Sequence, residues 1–215
     1  LILAFMRLFK RAALFWATYP ACGAFFDLVR NDGVLLGFLA ASLLAVRCGA
    51  VRIGGLLLTA AFLTKHTAAL YGLCSLWWLN HHLGRRSALS FVAWSVVPAL
   101  MATAWLTLGS GGLFWTYVID VPAAHPFVAE RFFWTAPKEL VMALPWMVGV
   151  TLLARFVLGR SLDRGHRFWF VHGAMAVFLS ALMRGHHGGY TNVLMPGLWI
   201  VALWASFFNL LNFNG

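Results

Sequence analysis

The sequence predicts an all-α protein, a polytopic bundle of transmembrane helices. Of its 215 residues, 62% are hydrophobic and only 10% are charged, a composition that no water-soluble core of this size requires. Long apolar stretches recur along the chain, separated by Arg, Lys, Asp, His and Gly. No stretch shows the alternation of a membrane β-barrel, so helices are expected to satisfy the backbone groups inside the bilayer.

The apolar stretches predict the helices in order. They cover 12–29, 33–46, 53–64, 67–79, 87–108, 140–158, 168–183 and 195–213. Several are shorter than the ~20 residues that cross the hydrocarbon unaided, so recessed or re-entrant helices are expected. The pattern indicates one transmembrane domain over 1–215. Because the chain opens at Leu1 within apolar sequence, that domain is expected to be incomplete at its N-terminus.

The basic residues predict how the helices are oriented. They lie singly or in pairs between apolar runs, a pattern typical of topogenic charges, and no nucleic-acid partner is expected. A turn near Lys65-His66 would place 11 of the 16 Lys and Arg residues on the cytoplasmic side. One uninterrupted span over 53–80, with Lys65 left uncounted, would split them 8 to 7. The positive-inside rule therefore favours two short or re-entrant helices that meet near Lys65.

On this topology the exterior receives charges of both signs. Five of the six acidic residues fall there and only Asp163 is cytoplasmic. The exterior also receives a long aromatic loop over 109–139 and the polar segment 184–192. Exterior loops need few charges for topology, so a polar site that faces outside is predicted. Arg85 and Arg86, with His81 and His82, are predicted to anchor the opposite side on anionic lipid.

Three local motifs occur together in this chain. Arg30-Asn31-Asp32 opens a helix, Leu63-Thr64-Lys65-His66 lies at a helical break, and residues 188–196 lead from Gly188-Gly189-Tyr190 into a late helix. Together they resemble the GT-C superfamily of multi-spanning glycosyltransferases, which contains the protein mannosyltransferases and the bacterial aminoarabinose transferase of lipid A.

The resemblance implies an enzyme that moves a sugar from a polyprenyl-phosphate donor to an acceptor hydroxyl. The expected partners are that donor, a lipid or protein glycan acceptor, and membrane lipids. The expected location is the bacterial inner membrane, with the active site facing outside. The resemblance also implies a catalytic carboxylate in a first outer loop, which is predicted to precede Leu1. Residues 1–215 alone are therefore expected to be inactive.

Lys65 is the foremost candidate for the donor phosphate. An ammonium below a membrane surface is costly unless it is paired or hydrated, and a departing phosphate requires fixed positive charge. The resemblance implies that Lys65 binds this phosphate, and Arg184 and Arg131 are predicted to assist. The alternative is a lysine that snorkels from a helix end.

Asp32 is predicted to support catalysis by easing the positive charge that builds on the sugar. Arg30 and His66 are predicted to contact substrate. The structural alternative for Asp32 is a carboxylate that caps a helix N-terminus.

The segment 184–192 supplies two further substrate-binding candidates, Tyr190 and Asn192, because glycines beside them allow close approach and both offer directional hydrogen bonds. His186-His187 leaves a divalent metal open as a cofactor. Zinc would need further ligands from elsewhere, so no metal ligand is assigned.

Two other classes of function stay open. A secondary transporter also has broken helices and a mid-depth lysine, although an internal repeat would be expected and no second copy of the Thr-Lys break is present. The second class that stays open is a non-catalytic lipid-binding membrane subunit.

Overall fold

The computed structural model describes residues 13, 15–18, 21, 31–143 and 164–207. The predictions for Arg30 and Asp163 lie outside these residues. The described residues are mostly helical and contain no β-strand, so the all-α class is confirmed. The chain divides into two compact units, one over Val29–Phe127 and the other over Leu1–Leu28 with Val128–Gly215. We call them the first and the second unit.

The first unit consists of helices joined by short turns. In chain order they are α1 (Asn31–Arg47), α2 (Val51–Thr64), a 3₁₀ turn (His66–Ala68), α3 (Ala69–Leu83), α4 (Arg85–Gly109) and α5 (Leu113–Ala123). Gly84 is the single residue between α3 and α4, and its φ of 83° lies in the left-handed region that favours glycine.

Cross-helix contacts show that the chain reverses twice between α1 and α3. Ser42 Oγ donates to the Gly54 carbonyl at 2.7 Å, which sets α1 antiparallel to α2. Leu35 packs with Ala61 and Ala68 in one buried cluster. Lys65 lies between Ala61 and Ala68 and is extended rather than helical, so the predicted break is present. Because α3 connects through Gly84 alone to a helix that packs parallel to α2, α3 runs antiparallel to α2 and the chain reverses at Lys65.

Helix α4 runs parallel to α2. Thr59 Oγ1 of α2 donates to the Ser95 carbonyl at 2.8 Å, and Gly55 lies against the backbone of Phe91 and Trp94. The first turns of α2 and α4 are therefore at one end of the unit, together with the last turns of α1 and α3. We call this the basic end because it carries Arg47, Arg52, Arg85 and Arg86. The opposite end, the Lys65 end, carries Asp32, Lys65, His66 and α5.

The second unit is built on an antiparallel helix pair. Helix α6 (Ala136–Ala143) continues from a wide π turn (Arg131–Thr135), and α7 (Arg164–Gly185) is followed by a 3₁₀ turn (Thr191–Leu194) and α8 (Met195–Phe207). The Gly197 amide of α8 donates to Ser180 Oγ of α7 at 3.0 Å. A buried cluster that includes Leu140, Ala181 and Met195 joins α6 to this pair.

The prediction of a long loop over 109–139 is wrong, because most of this segment is helical. It contains α5 and the π turn that leads into α6. The charged residues that suggested a loop, Asp120, Glu130 and Lys138, lie on exposed helix faces. α5 also contains a π turn, Thr116–Asp120, and such turns are often found at functional sites.

Among the described residues, two helices are long and apolar enough to cross a membrane, judged by length and composition. They are Arg85–Gly109, with a mean hydropathy of 1.7, and Arg167–Gly185, with 1.3. Only 11% of the most apolar window of Arg85–Gly109 is buried, and Trp105 and Leu108 are 79% and 82% exposed. An apolar helix with so exposed a surface is typical of one that faces lipid rather than a soluble core.

Gly55 should be required for the contact between α2 and α4. A Cβ at this position would lie 3.0 Å from backbone atoms of α4, and backbone cannot rotate aside. We expect Gly55→Ala to lower the thermal unfolding midpoint in detergent, although alanine favours helix over glycine. Gly37→Ala is the matched control, since Gly37 lies in α1 with nothing within 4 Å of its Cβ position. Equal midpoints for the two variants would contradict this packing.

Candidate functional site at the Lys65 helix break

Lys65 occupies a break between two helical segments whose backbone groups are satisfied. Its amide donates to the Ala61 carbonyl at 2.9 Å and ends α2, while its carbonyl accepts from the Ala68 amide at 3.0 Å. Between these bonds Lys65 is extended, with φ −157° and ψ 117°. Because local bonds hold the break, the Lys65 side chain is presented from an ordered backbone.

The Lys65 ammonium forms an ion pair with Asp32. Nζ lies 2.7 Å from Oδ1, and the two side chains are 27% and 9% exposed. The antiparallel packing of α1 against α2 brings the first turn of α1 beside the end of α2, which explains why residues 33 positions apart meet. The structure thus brings together two of the residues that the sequence predicted as site residues, in a pair that the sequence did not predict.

Lys65 and His66 line a cavity of about 180 Å³. Its other walls come from the C-terminal half of α4, with Thr103, and from α5, with Tyr117. Sequence reasoning did not identify Thr103. Tyr117 was recognised only as part of an aromatic segment. Both offer hydroxyl groups, so the cavity combines one cation with several hydrogen-bonding side chains.

His66 contributes a neutral ring to this cavity. Burial, and then the neighbouring Lys65 charge, lower the pKa of His66 below its usual value of 6.5. The imidazole therefore becomes protonated only at a lower pH than usual, and it is neutral at pH 7. At neutral pH the positive charge of the cavity wall comes from Lys65.

A second ion pair lies in the second unit, between Arg184 and Glu139. Nε donates to Oε2 and an Nη donates to Oε1, both at 2.8 Å, and the other Nη donates to the Gly189 carbonyl at 2.6 Å. This bidentate geometry already directs all three donor nitrogens of Arg184 to protein oxygens. Sequence reasoning missed Glu139. The available signal was a carboxylate directly before the apolar stretch 140–158, where an acid needs a partner.

The two substrate-binding candidates in the loop after Arg184 differ in exposure. Tyr190 is 61% exposed, whereas Asn192 is only 5% exposed. Gly189 lies close to the backbone of Met183 and His186, where a Cβ would collide. The loop is thus held by backbone contacts and Arg184, and it presents Tyr190 and His187 to the surface.

The remaining candidates are less constrained. Arg131, half-buried in the π turn before α6, forms no ion pair among the described residues.

An open pocket of about 930 Å³ in the second unit is lined by polar and aromatic side chains that include Glu130, Trp134, Lys138 and Glu139. Within the described ranges, no group of three or more His, Cys, Asp or Glu side chains could hold a metal ion.

Comparisons of this chain with protein-family models, curated proteins and solved structures give no match. The candidate site is therefore assigned from the geometry of the Asp32–Lys65 pair and its cavity alone.

The two charges should depend on each other for stability. Lys65→Met should remove the cation that faces a buried carboxylate, and Asp32→Asn should remove the counter-charge of a buried ammonium. Each change is expected to cost roughly 2 kcal/mol. The double variant should lose less than the sum of the single losses, because it buries no net charge.

Thermal unfolding in detergent measures this double-mutant cycle. Lys138→Met removes an exposed lysine of the second unit and should leave the unfolding midpoint nearly unchanged. Strictly additive losses for Asp32→Asn and Lys65→Met would mean that the pair contributes nothing to the fold.

Proposed function

We propose that this chain belongs to an integral membrane glycosyltransferase of the GT-C type, which uses a polyprenyl-phosphate-linked sugar. The observation that carries the proposal is the partly buried Asp32–Lys65 pair, at a helix break and beside a cavity. A lysine at such a position is expensive to retain for structure alone and is typical of a site for an anionic ligand.

Lys65 has the capacity to bind a phosphate while it stays paired with Asp32. An ammonium has three N–H donors, and among the described residues Lys65 uses one of them, toward Asp32. Two donors remain for phosphate oxygens at the cavity wall. On this proposal Asp32 fixes the direction of the ammonium, and Lys65 stabilises the charge that grows on the phosphate as the glycosidic bond breaks.

The cavity also has groups suited to a sugar. Thr103 and Tyr117 hydroxyls and the neutral His66 ring can each donate or accept hydrogen bonds. Exposed aromatic and aliphatic side chains on α4 and α5, such as Trp105 and Trp115, suit a long prenyl chain outside the cavity. A mostly apolar pocket with one cation and a few hydrogen-bonding groups, beside an apolar helix surface, fits a ligand that has a charged head and a lipid tail.

The position of the charges supports a polytopic arrangement with this site outside. The basic end has four arginines, whereas Lys65 is the one Lys or Arg at the Lys65 end among the described residues of the first unit. By the positive-inside rule the basic end is cytoplasmic and the Lys65 end faces the exterior of the inner membrane.

Arg184 is less suited to the phosphate role that the sequence suggested. Three of its five N–H donors are directed to Glu139 and the Gly189 carbonyl, and this bidentate pairing fixes the guanidinium plane against the carboxylate and the loop. The proposal therefore assigns donor binding to Lys65, and leaves Arg184 to hold the loop that presents Tyr190.

A secondary transporter is the second candidate, because α2 and α3 are short helices that meet at a break bearing an ion pair. Such broken helices also bind ions and anionic substrates in transporters. A transporter of small anions should be stabilised by a soluble anion and be indifferent to a prenyl chain. A lipid-binding subunit should bind polyprenyl phosphate without transferring a sugar.

Binding of polyprenyl phosphate tests the assignment of Lys65. It should raise the thermal unfolding midpoint of the protein more than polyprenol does, which differs only in lacking the phosphate. Lys65→Met should abolish this difference, and Lys65→Arg should keep part of it because the charge is retained in another shape. Asp32→Asn should preserve binding, because the ammonium keeps its full charge.

Sugar transfer in membranes of the full-length protein is the second readout. Lys65→Met should lower the rate by about 10²–10³, the usual cost of losing one preorganised charge contact. Lys138→Met should transfer at the parental rate. If Lys65→Met binds polyprenyl phosphate and turns over normally, Lys65 is structural and the donor site lies elsewhere.

Labelling of single cysteines tests the orientation. Cys48 is exposed in the turn at the basic end, and His125→Cys would place a thiol just after α5. In a background without other reactive cysteines, an impermeant maleimide should label position 125 in intact cells and Cys48 only after permeabilisation. The reverse pattern would put the Lys65 cavity in the cytoplasm.

A further inference from the structure

The basic end of the first unit gathers four exposed arginines from three helices. Arg47 ends α1, Arg52 lies in the first turn of α2, and Arg85 and Arg86 open α4. Helix packing brings them to one end although they span 40 positions of sequence. Neither of the described carboxylates of this unit lies there, because Asp32 and Asp120 belong to the Lys65 end.

Helix stability does not explain these positions. The positive end of a helix dipole is at its N-terminus, where a cation is unfavourable. Arg52, Arg85 and Arg86 nevertheless occupy the first turns of α2 and α4. Three arginines therefore lie where the helix dipole disfavours a cation, which indicates that they interact with a group outside the helices.

Aromatic and aliphatic side chains accompany the arginines. The Arg52 guanidinium lies 6.0 Å from the centre of the Trp94 ring, and Trp77, half exposed, contacts His81 edge to face at 5.2 Å. Ile53 and Leu89 beside them are 57% and 56% exposed. A soluble polyanion would leave these apolar groups in water. A lipid leaflet would cover them, since tryptophan and arginine both favour the level of the headgroups.

We propose that the basic end is a binding surface for anionic phospholipid headgroups, with Arg47, Arg52, Arg85 and Arg86 as the contacting cations. This inference needs only the membrane embedding of the proposed function, and it holds equally for an enzyme or a transporter. It also extends the predicted anchor of Arg85 and Arg86 to arginines from two further helices, which makes the surface a product of the fold.

Near an anionic membrane, each basic residue strengthens binding about fivefold, and the effect falls with rising salt. Removing Arg85 and Arg86 together should therefore weaken binding roughly 25-fold. Removing all four arginines should weaken it several hundred-fold.

Titration with phosphatidylglycerol in phosphatidylcholine mixed micelles, followed by the thermal unfolding midpoint of the full chain, measures this binding. Phosphatidylglycerol should stabilise the parent protein, and phosphatidylcholine alone should not. Any stabilisation by inorganic phosphate should be the same in the parent and in the arginine variants. The variants are Arg85→Gln/Arg86→Gln and the same double change combined with Arg47→Gln/Arg52→Gln. Lys138→Gln is the matched control, because it removes one exposed cation from the second unit and should bind like the parent.

The outcomes separate cleanly. The proposal is overturned if the Arg85→Gln/Arg86→Gln variant binds phosphatidylglycerol within twofold of the parent affinity. If the fourfold variant does not fold, the result for this double variant decides the test. Stabilisation by inorganic phosphate that the Arg85→Gln/Arg86→Gln change removes would also overturn it, because the arginines would then bind a soluble anion. Release of the protein from membranes by alkaline carbonate would refute the membrane embedding itself. A protein that resists carbonate but is indifferent to phosphatidylglycerol would refute this inference alone.

Discussion

The pairing of Lys65 with Asp32 is the interaction on which the organisation of the first unit depends. A helix break at the edge of apolar helices would leave an ammonium in a costly environment, and the carboxylate of α1 removes most of that cost. The same contact joins the first turn of α1 to the end of α2. The pair that neutralises charge therefore also holds these two helix ends together. It fixes the direction of the Lys65 ammonium, which lines the adjacent cavity.

Close helix packing extends this organisation to the other end of the unit. Gly55 lets α4 approach α2 at backbone distance, and small residues are the usual means by which apolar helices pack when no hydrophobic driving force separates them from lipid. The consequence is electrostatic as well as steric. The arginines are gathered at one end and Asp32, Lys65 and Asp120 at the other, so one set of contacts creates two surfaces of different chemistry.

The sequence predicted the helical class, the positions of the described helices other than α5 to within a few residues, and the break at Lys65. The apolar stretches and the charged residues that interrupt them carry that information, because helices form where apolar runs are long and break where charges and glycines interrupt them. It did not predict the Asp32–Lys65 or Glu139–Arg184 pairs. Partners 33 and 45 positions apart depend on which helices are neighbours, and composition does not specify neighbours.

The helical nature of 109–139 was missed for a related reason. Charges there suggested a loop, but a helix can carry charges on one exposed face at no cost to its backbone bonds. From the sequence, Lys65 was the foremost candidate for the phosphate and Arg184 was predicted to assist it. The structure adds that Arg184 holds Glu139 and the Gly189 carbonyl with three of its five N–H groups, whereas Lys65 makes one bond and faces a cavity.

The connection between α3 and α4 has a practical consequence. Gly84 alone separates two helices of 15 and 25 residues, and a proteolytic enzyme needs several extended residues to seat a cleavable bond. This connection should therefore resist limited proteolysis although Leu83, Arg85 and Arg86 are exposed, and it offers no room for an inserted epitope or a fused domain. A reporter directed to this side of the molecule would have to enter at the turn that follows α1.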